Sequence, residues 1–398
     1  MGADRRGECA TYALICVCLG LAWQFLTVHY NYGGNWTALY ISGSQFRIPP
    51  DLFYENVYVF PKSSGYDGQM YHYMAHDPFL QRGFAPFMDN ARFRYRRILL
   101  PALAFILAGG QQSAIDAAYI AANLLFLFLG AWWIGRYLAI SGRSPAWAIL
   151  FVLVPAVLTS LDRLTIDLSM TALCMGFLFY ARIESRWRLY AVLVLACLTR
   201  ETGVVLTMAF CVYLLARHRF VQAALFSTAA LPACLWYLFV NARTPEPLGH
   251  WTSVIPVDRW SNLIPLRGIV ETLLHPFQYP GSPVLNAGIR TFDYLAMAGI
   301  LMACVLAFYI LYKKPFGYLE IAAALWAAGA LCLPSGVWVD CCSSGRVFSP
   351  LLIFLVLRSV AHPAIIWVLP LILVAMRTWL QLVSPLLGIV RGVLDHWW

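Results

Sequence analysis

Charge is what this sequence has least of. Only 12% of its 398 residues are Asp, Glu, Lys or Arg, against roughly a quarter in a soluble domain. Hydrophobic residues make up 61% of the chain and the mean hydropathy is +0.68. That balance excludes an ordinary soluble globule and, with many long apolar runs, predicts an all-α polytopic membrane bundle. The net charge of +9 is not a nucleic-acid footprint, because the basic residues stand in twos and threes between apolar runs, as orientation signals do. Cys-x-x-C spacing is missing, so most of the 11 cysteines read as small packing residues rather than metal ligands. Cys341 and Cys342 stand apart in a polar stretch, where a vicinal disulfide has a low prior. There is no Gly-x-Ser-x-Gly nucleophile elbow and no Gly-x-x-x-x-Gly-Lys-Ser/Thr phosphate loop. No internal repeat is visible, and no soluble domain interrupts the apolar runs.

What is present is a set of apolar runs near 11–29, 98–109, 115–138, 145–160, 166–183, 188–199, 203–216, 220–240, 291–312, 317–334, 347–361, 363–376 and 378–394. The first run is long for a signal-peptide core and lacks a small-x-small cleavage site, so it reads as a retained span. Together the runs predict one membrane domain over 1–398 with about eleven or twelve spans. Two long polar stretches fall outside them: a first outer loop over 30–114 and a second over 241–290. If the N-terminus is cytoplasmic, Arg136 and Arg143, Arg182 to Arg188, Arg217 and Arg219, and Lys313 and Lys314 all face inside, provided that 98–109 does not cross. That run is too short to span, carries Pro101 and is followed by Gly109-Gly110, so it is expected to be interfacial or re-entrant on the outer side. Between 188 and 216, Arg200 and Glu201 would sit at mid-bilayer in a straight helix, at about 2.5–3.5 kcal/mol each. Two short helices meeting at a polar outer tip avoid that cost; one tilted helix with an internal Arg–Glu pair is the alternative.

On this topology five polar clusters meet on the outer face. They are Tyr66-Asp67-Gly68-Gln69 with Tyr71, His72, His76 and Asp77; the basic run Arg92 to Arg97; Asp162-Arg163 with Asp167; Arg200-Glu201; and Asp340 to Arg346. Ionisable groups at membrane depth are functional hypotheses by default. Each also has a plainer reading. Asp67 could cap a helix starting at Gly68. His72 and His76, spaced i,i+4, could hold a metal with Asp77 or Asp67, though more often such residues are interfacial polar groups, and neither a metal nor another cofactor is indicated. The basic run could contact anionic headgroups, Asp162, Arg163 and Asp167 could be a local ion cluster, and Arg346 could anchor a helix start. The chemistry that fits the whole set is group transfer from a lipid phosphate donor. Such a donor brings its own leaving group, so a base for the acceptor hydroxyl and cations for the departing phosphate suffice. Arginine suits phosphate because its planar fork binds two oxygens and stays charged. Glycines near Asp67 would let backbone and substrate approach closely.

These residues resemble the GT-C superfamily of membrane-embedded glycosyltransferases that use polyprenyl-phosphate sugars. The likeness lies in layout over most of the chain: Tyr66-Asp67-Gly68-Gln69-Met70-Tyr71, then Asp77-Pro78, then Arg94-Tyr95-Arg96-Arg97-Ile98-Leu99-Leu100-Pro101. The first segment is similar to the Trp-Asp-Gly-x-x-Tyr loop of glycosylphosphatidylinositol mannosyltransferases, with Tyr66 where that loop has Trp. Leu198 to Gly203 resembles the Thr-Arg-x-x-Gly turn of related mannosyltransferases, and Arg346 with Pro350 resembles the Arg-x-x-x-Pro start of a late span near the lipid phosphate.

The resemblance implies an inverting transfer with Asp67 as general base and Arg200 and Arg346 on the donor phosphate. Tyr66, Gln69, Tyr71, His72, Asp77, Arg96, Arg97, Asp162, Arg163, Asp167 and Glu201 complete the expected substrate site. The expected partners are a polyprenyl-phosphate sugar, membrane lipids and a lipid, glycan or protein acceptor. The expected location is a bacterial-type plasma membrane with the site on its periplasmic or extracellular side. The rivals are a lipid-linked saccharide flippase, which needs polar residues along a whole route, an acyltransferase with His72 or His76 as base, and a non-catalytic assembly partner.

Overall fold

A computed structural model describes residues 3–244, 264–279, 281–313 and 317–395. The described chain opens with α1 (Ala3–Tyr32), a helix long and apolar enough to cross a membrane. The polar stretch that follows is compact rather than extended. It holds 3-10 turns at Trp36–Tyr40 and Pro50–Glu55, a two-residue parallel pairing of β1 (Ser42–Gly43) with β2 (Val59–Phe60), then α2 (Asp67–His76), α3 (Ala91–Tyr95) and α4 (Leu99–Leu107). At nine residues, α4 rises about 14 Å and cannot cross, as its length implied.

The bundle proper is built from α5 (Ile115–Ile140), α6 (Pro155–Arg163), α7 (Asp167–Arg182), α8 (Arg186–Thr199), α9 (Gly203–Leu215), α10 (Phe220–Ser227) and α11 (Leu231–Arg243). After it come α12 (Arg267–Leu274), α13 (Pro283–Lys313), α14 (Tyr318–Leu331), α15 (Ser335–Trp338), α16 (Cys341–Ala361), α17 (Leu369–Gln381) and α18 (Val383–Asp395). Residues 168–179 of α7 are buried throughout, so this helix is the hub, packed against α5, α6, α8, α9 and α16. Around it, α1, α11 and α13 turn large apolar side chains outward, among them Leu14, Phe25, Leu235, Leu238 and Val305. Apolar surface on the outside of a bundle suits contact with lipid tails rather than water.

Among the described residues five helices are long and apolar enough to cross a membrane, or up to seven if each bent pair counts as one span. The long apolar helices are consistent with a multi-pass membrane protein. The count is below the eleven or twelve read from the sequence, for identifiable reasons. The run at 145–160 is a 3-10 segment and α6, bent by 58° where Pro155 starts the new helix. The C-terminal runs are α17 and α18, bent by 46°, so Arg377 lies within α17 instead of between two spans. Several other runs, α7 included, form helices of 13–16 residues, shorter than the roughly twenty a perpendicular crossing needs. The chain does break between α8 and α9, at Arg200–Thr202, as the polar tip required. Gly203 is needed there, because a Cβ on it would overlap the Ala196 carbonyl.

Two boundaries also move. The first polar stretch begins after Tyr32. Of the second, 245–263 lie outside the described residues, α12 forms inside it, and α13 begins seven residues before 290. The Cys341–Cys342 side chains lie outside the described residues as well.

Candidate functional site

Helix order brings one charged cluster to a single end of the bundle. The starts of α2, α7 and α16 meet the end of α6, the α8–α9 turn and the α3–α4 connection. The basic residues Arg136, Arg143, Arg182, Arg186, Arg217 and Lys313 lie at or beyond the opposite helix ends.

Asp67 is the first residue of α2, one place inside the helix, and the N-cap position is Tyr66. Its carboxylate is therefore not spent as a cap; it is in the first turn, where the helix dipole favours an anion. Oδ1 accepts Arg94 Nη1 at 2.8 Å and Oδ2 accepts Arg346 Nη2 at 2.5 Å. Arg346 Nη1 reaches Asp167 Oδ2 at 3.4 Å, and Asp167 Oδ1 meets Arg200 Nη1. A continuous path Arg94–Asp67–Arg346–Asp167–Arg200 thus joins the polar loop to three distant helix ends. Arg94 is fixed from behind by a two-point pairing with Asp89, at 2.9 and 2.6 Å. Arg97 bonds Glu201 at 3.1 Å and the Tyr71 hydroxyl at 3.2 Å, tying the loop to the α8–α9 turn. The Tyr66 ring lies beneath two guanidiniums, Arg163 at 4.6 Å and Arg346 at 4.9 Å, a cation–π arrangement that holds both over the loop. Arg163 also pairs with its neighbour Asp162 at 3.4 Å.

The electrostatics follow from this geometry. Burial alone would raise the Asp67 pKa, but Arg346, Arg94 and Arg97 outweigh it and hold the carboxyl well below the usual carboxylate range. Asp67 is ionised at any physiological pH. Five guanidiniums (Arg94, Arg97, Arg163, Arg200, Arg346) face five carboxylates (Asp67, Asp89, Asp162, Asp167, Glu201). By formal charge these ten groups sum to zero.

Several expected site residues have other work. Gln69 is fully buried; its amide oxygen accepts Gly43 N at 3.0 Å and its NH2 donates to the Tyr73 hydroxyl at 2.8 Å, so it fastens α2 to β1. Asp77 is 2% exposed and accepts Gln81 N at 2.7 Å, holding the turn after α2. Arg96 faces α11, over the Tyr237 ring and near Asn241. Gly68 admits backbone, not substrate: a Cβ there would overlap the Arg163 carbonyl and lie 2.9 Å from the Tyr40 carbonyl oxygen. Asp340 belongs with Arg377, Asp293 and Tyr279 in a separate polar group.

His72 sits five residues after Asp67, about 140° around the helix, and His76 one turn further on the same face. Both are buried, and they meet Glu55 and Asp116, not Asp67 or Asp77. Burial would lower the His72 pKa, but Asp116 and Glu55 raise it to about 9. A pair so enclosed is poorly placed to act as the base of an acyltransferase.

Arg94 is the central residue that the expected site omitted, although the basic run containing it stood out. Arg97 N bonds the Arg94 carbonyl in the turn that ends α3, which brings Arg94 and Arg97 inward while Arg96 turns to α11. An apolar cavity of about 490 Å³ lies elsewhere, between α5, α16 and the 3-10 segment before α6, lined by Leu138, Trp147, Phe151, Ile353 and Leu357 with Arg143 at its polar edge. None of its lining residues belongs to the charged cluster.

No protein-family model, curated protein or solved structure matches the chain.

Proposed function

We propose that this protein is a membrane glycosyltransferase of the GT-C kind. It moves a sugar from a polyprenyl-phosphate donor to a hydroxyl of a lipid, glycan or protein acceptor. The site faces the outer side of a bacterial-type plasma membrane, opposite the basic helix ends. The observation that carries this reading is the ion-paired path Arg94–Asp67–Arg346–Asp167–Arg200. It joins a carboxylate from the first polar loop to guanidiniums from distant helices.

The chemistry can be followed by charge. A sugar phosphodiester carries one negative charge, and when the bond from C1 to the phosphate oxygen breaks, the polyprenyl phosphate leaves with the electron pair and a second charge. The acceptor oxygen forms the new bond to C1 from the opposite face, inverting the configuration, and its proton passes to Asp67. Protonation turns Asp67 neutral just as the leaving phosphate becomes dianionic. Arg346 and Arg94 then exchange a carboxylate partner for a phosphate one, and charge-assisted bonds are conserved across the step. A strongly paired Asp67 is a weak base in the resting site. Donor phosphate on the same guanidiniums would draw them off it and raise its basicity.

Purified protein in proteoliposomes, supplied with a panel of polyprenyl-phosphate hexoses and pentoses and a membrane lipid extract, should release polyprenyl phosphate and form a glycosylated product, and the Asp67→Asn variant should not. Donor crossing the bilayer with no product would instead identify a flippase.

A further inference from the structure

We propose that Glu55, His72, His76 and Asp116 form a structural divalent-metal site, best suited to Zn²⁺, that clamps the first polar loop to α5. The site is distinct from the charged cluster and does not depend on the transferase reading.

The four side chains come from three places: the 3-10 turn at Pro50–Glu55, one face of α2, and the first turn of α5. His72 and His76 are i,i+4, the spacing that puts two imidazoles on one side of a helix. The ligand atoms lie within 4.8 Å of one another. Ligand atoms of a tetrahedral ion with bonds of about 2.1 Å are about 3.4 Å apart, so the two 3.5 Å contacts already fit and the widest pairs close by side-chain shifts of about 1 Å. His72 Nε2 approaches Asp116 Oδ1 at 2.9 Å and Glu55 Oε2 at 3.5 Å, and His76 Nε2 approaches the same two oxygens at 3.9 and 3.5 Å.

What marks this as a ligand set is how those atoms are used. His72 Nε2, His76 Nε2, Glu55 Oε2 and Asp116 Oδ1 are all buried, and none makes an aligned hydrogen bond. The imidazoles are 0% and 1% exposed. Four buried polar atoms aimed at a common point, with one close His72–Asp116 pairing and otherwise contacts of 3.5 Å or more, is an arrangement that protein alone satisfies poorly. A dication repays it: two carboxylates neutralise its charge and two neutral imidazoles complete four-coordination. Four protein ligands leave no open position, which is the pattern of structural rather than catalytic zinc. The outer partner of His76 fits as well, while His72 Nδ1 is buried without one. His76 Nδ1 lies 2.9 Å from Gln112 Oε1, so its other nitrogen is left for the cation. The His72 ring stacks on Tyr40 with centroids 4.1 Å apart, which fixes its plane. Imidazole with carboxylate suits Zn²⁺ over Mg²⁺ or Ca²⁺, and Zn²⁺ over Mn²⁺ by the usual affinity order.

The test uses full-length protein without a histidine tag, in detergent, stripped with EDTA and titrated with Zn²⁺ or Mn²⁺. Bound metal is read by mass spectrometry after desalting, and unfolding is followed by tryptophan fluorescence. The expected result is about one Zn²⁺ per chain, a rise of several degrees in Tm on loading, and weaker Mn²⁺ binding. His76→Gln and Asp116→Asn, which nearly keep side-chain volume, should each lose about tenfold or more in Zn²⁺ affinity and the Zn²⁺-dependent Tm shift. Folded wild-type protein that holds neither ion after desalting overturns the proposal, whatever the variants do. Zn²⁺ retained equally by both variants is adventitious binding and overturns it too.

Discussion

Replacing Asp67 by Asn removes one charge and leaves the shape of the side chain. Two guanidiniums lose their shared anion. At an effective dielectric of about 20, each close pairing is worth about 4 kcal/mol before desolvation is counted. Returning the carboxylate's burial cost cancels part of that, and removing one partner from a buried pair leaves a net loss of about 3–5 kcal/mol. Two features reduce the figure here. Arg94 keeps its two-point pairing with Asp89, and the Asn carbonyl still accepts one hydrogen bond. A loss of about 2–4 kcal/mol follows, read as a fall of a few degrees in Tm by tryptophan fluorescence in detergent. Transfer should fall further than stability does, by at least about 10²-fold, because a general base is lost outright. The coupling between Asp67→Asn and Arg346→Gln should be about 1–3 kcal/mol. A variant with wild-type transfer removes Asp67 from the mechanism. An unchanged Tm together with no coupling to Arg346 refutes the ion-pair reasoning, even if transfer is lost.

Mild acid should spare the Asp67 pairings. Asp67 has a folded pKa below its ordinary 3.8, so its contribution is fully present above that value and is lost only as the pH falls through the folded pKa. Asp67 should therefore add no pH dependence to Tm between pH 5 and 7, and a wild-type-minus-Asp67→Asn difference that shrinks across that range would contradict the pairing. Gly68→Ala should destabilise the protein by about 2–4 kcal/mol through backbone overlap with Arg163 and Tyr40, and should cost transfer by displacing Asp67; wild-type Tm and activity would show that the close approach is not real. Glu201→Gln should weaken the tie between the loop and the α8–α9 turn by about 1–3 kcal/mol, seen as faster proteolysis of the polar loop. Gln69→Ala should lower Tm without changing the apparent donor KM, since its amide is spent on Gly43 and Tyr73; a selective rise in KM would return it to the substrate site.

Much of the charged cluster was legible because charge is so scarce. Arg200 and Arg346 each interrupt or border an apolar run, Asp67 is the acid of the glycine-flanked loop segment, and a buried charge needs a partner, so their convergence could be anticipated. The break at Arg200–Thr202 and the short α4 followed from length and charge alone. The roles of Gln69 and Asp77 were not legible. A polar side chain in a glycine-rich loop looks the same in sequence whether it meets substrate or satisfies backbone N–H groups, and here the backbone claims both. Arg94 and Arg96 are two residues apart with identical chemistry; only the turn of α3 and the neighbours Asp89 and Tyr237 separate them. Glu55 carried no signal at all, because its relation to His72 depends on how the 3-10 turn at Pro50–Glu55 folds back over α2.

Composition and periodicity by themselves determined an all-helical chain with a greasy exterior and a polar loop after its first helix, because those properties are sums over many residues and survive any detail of packing. Which carboxylate meets which guanidinium, how many runs are long enough to cross, and that two imidazoles turn toward Glu55 and Asp116 were decided only in three dimensions. Those outcomes rest on contacts between residues as far apart as 67 and 346, and no local pattern fixes the rotation of one helix against another.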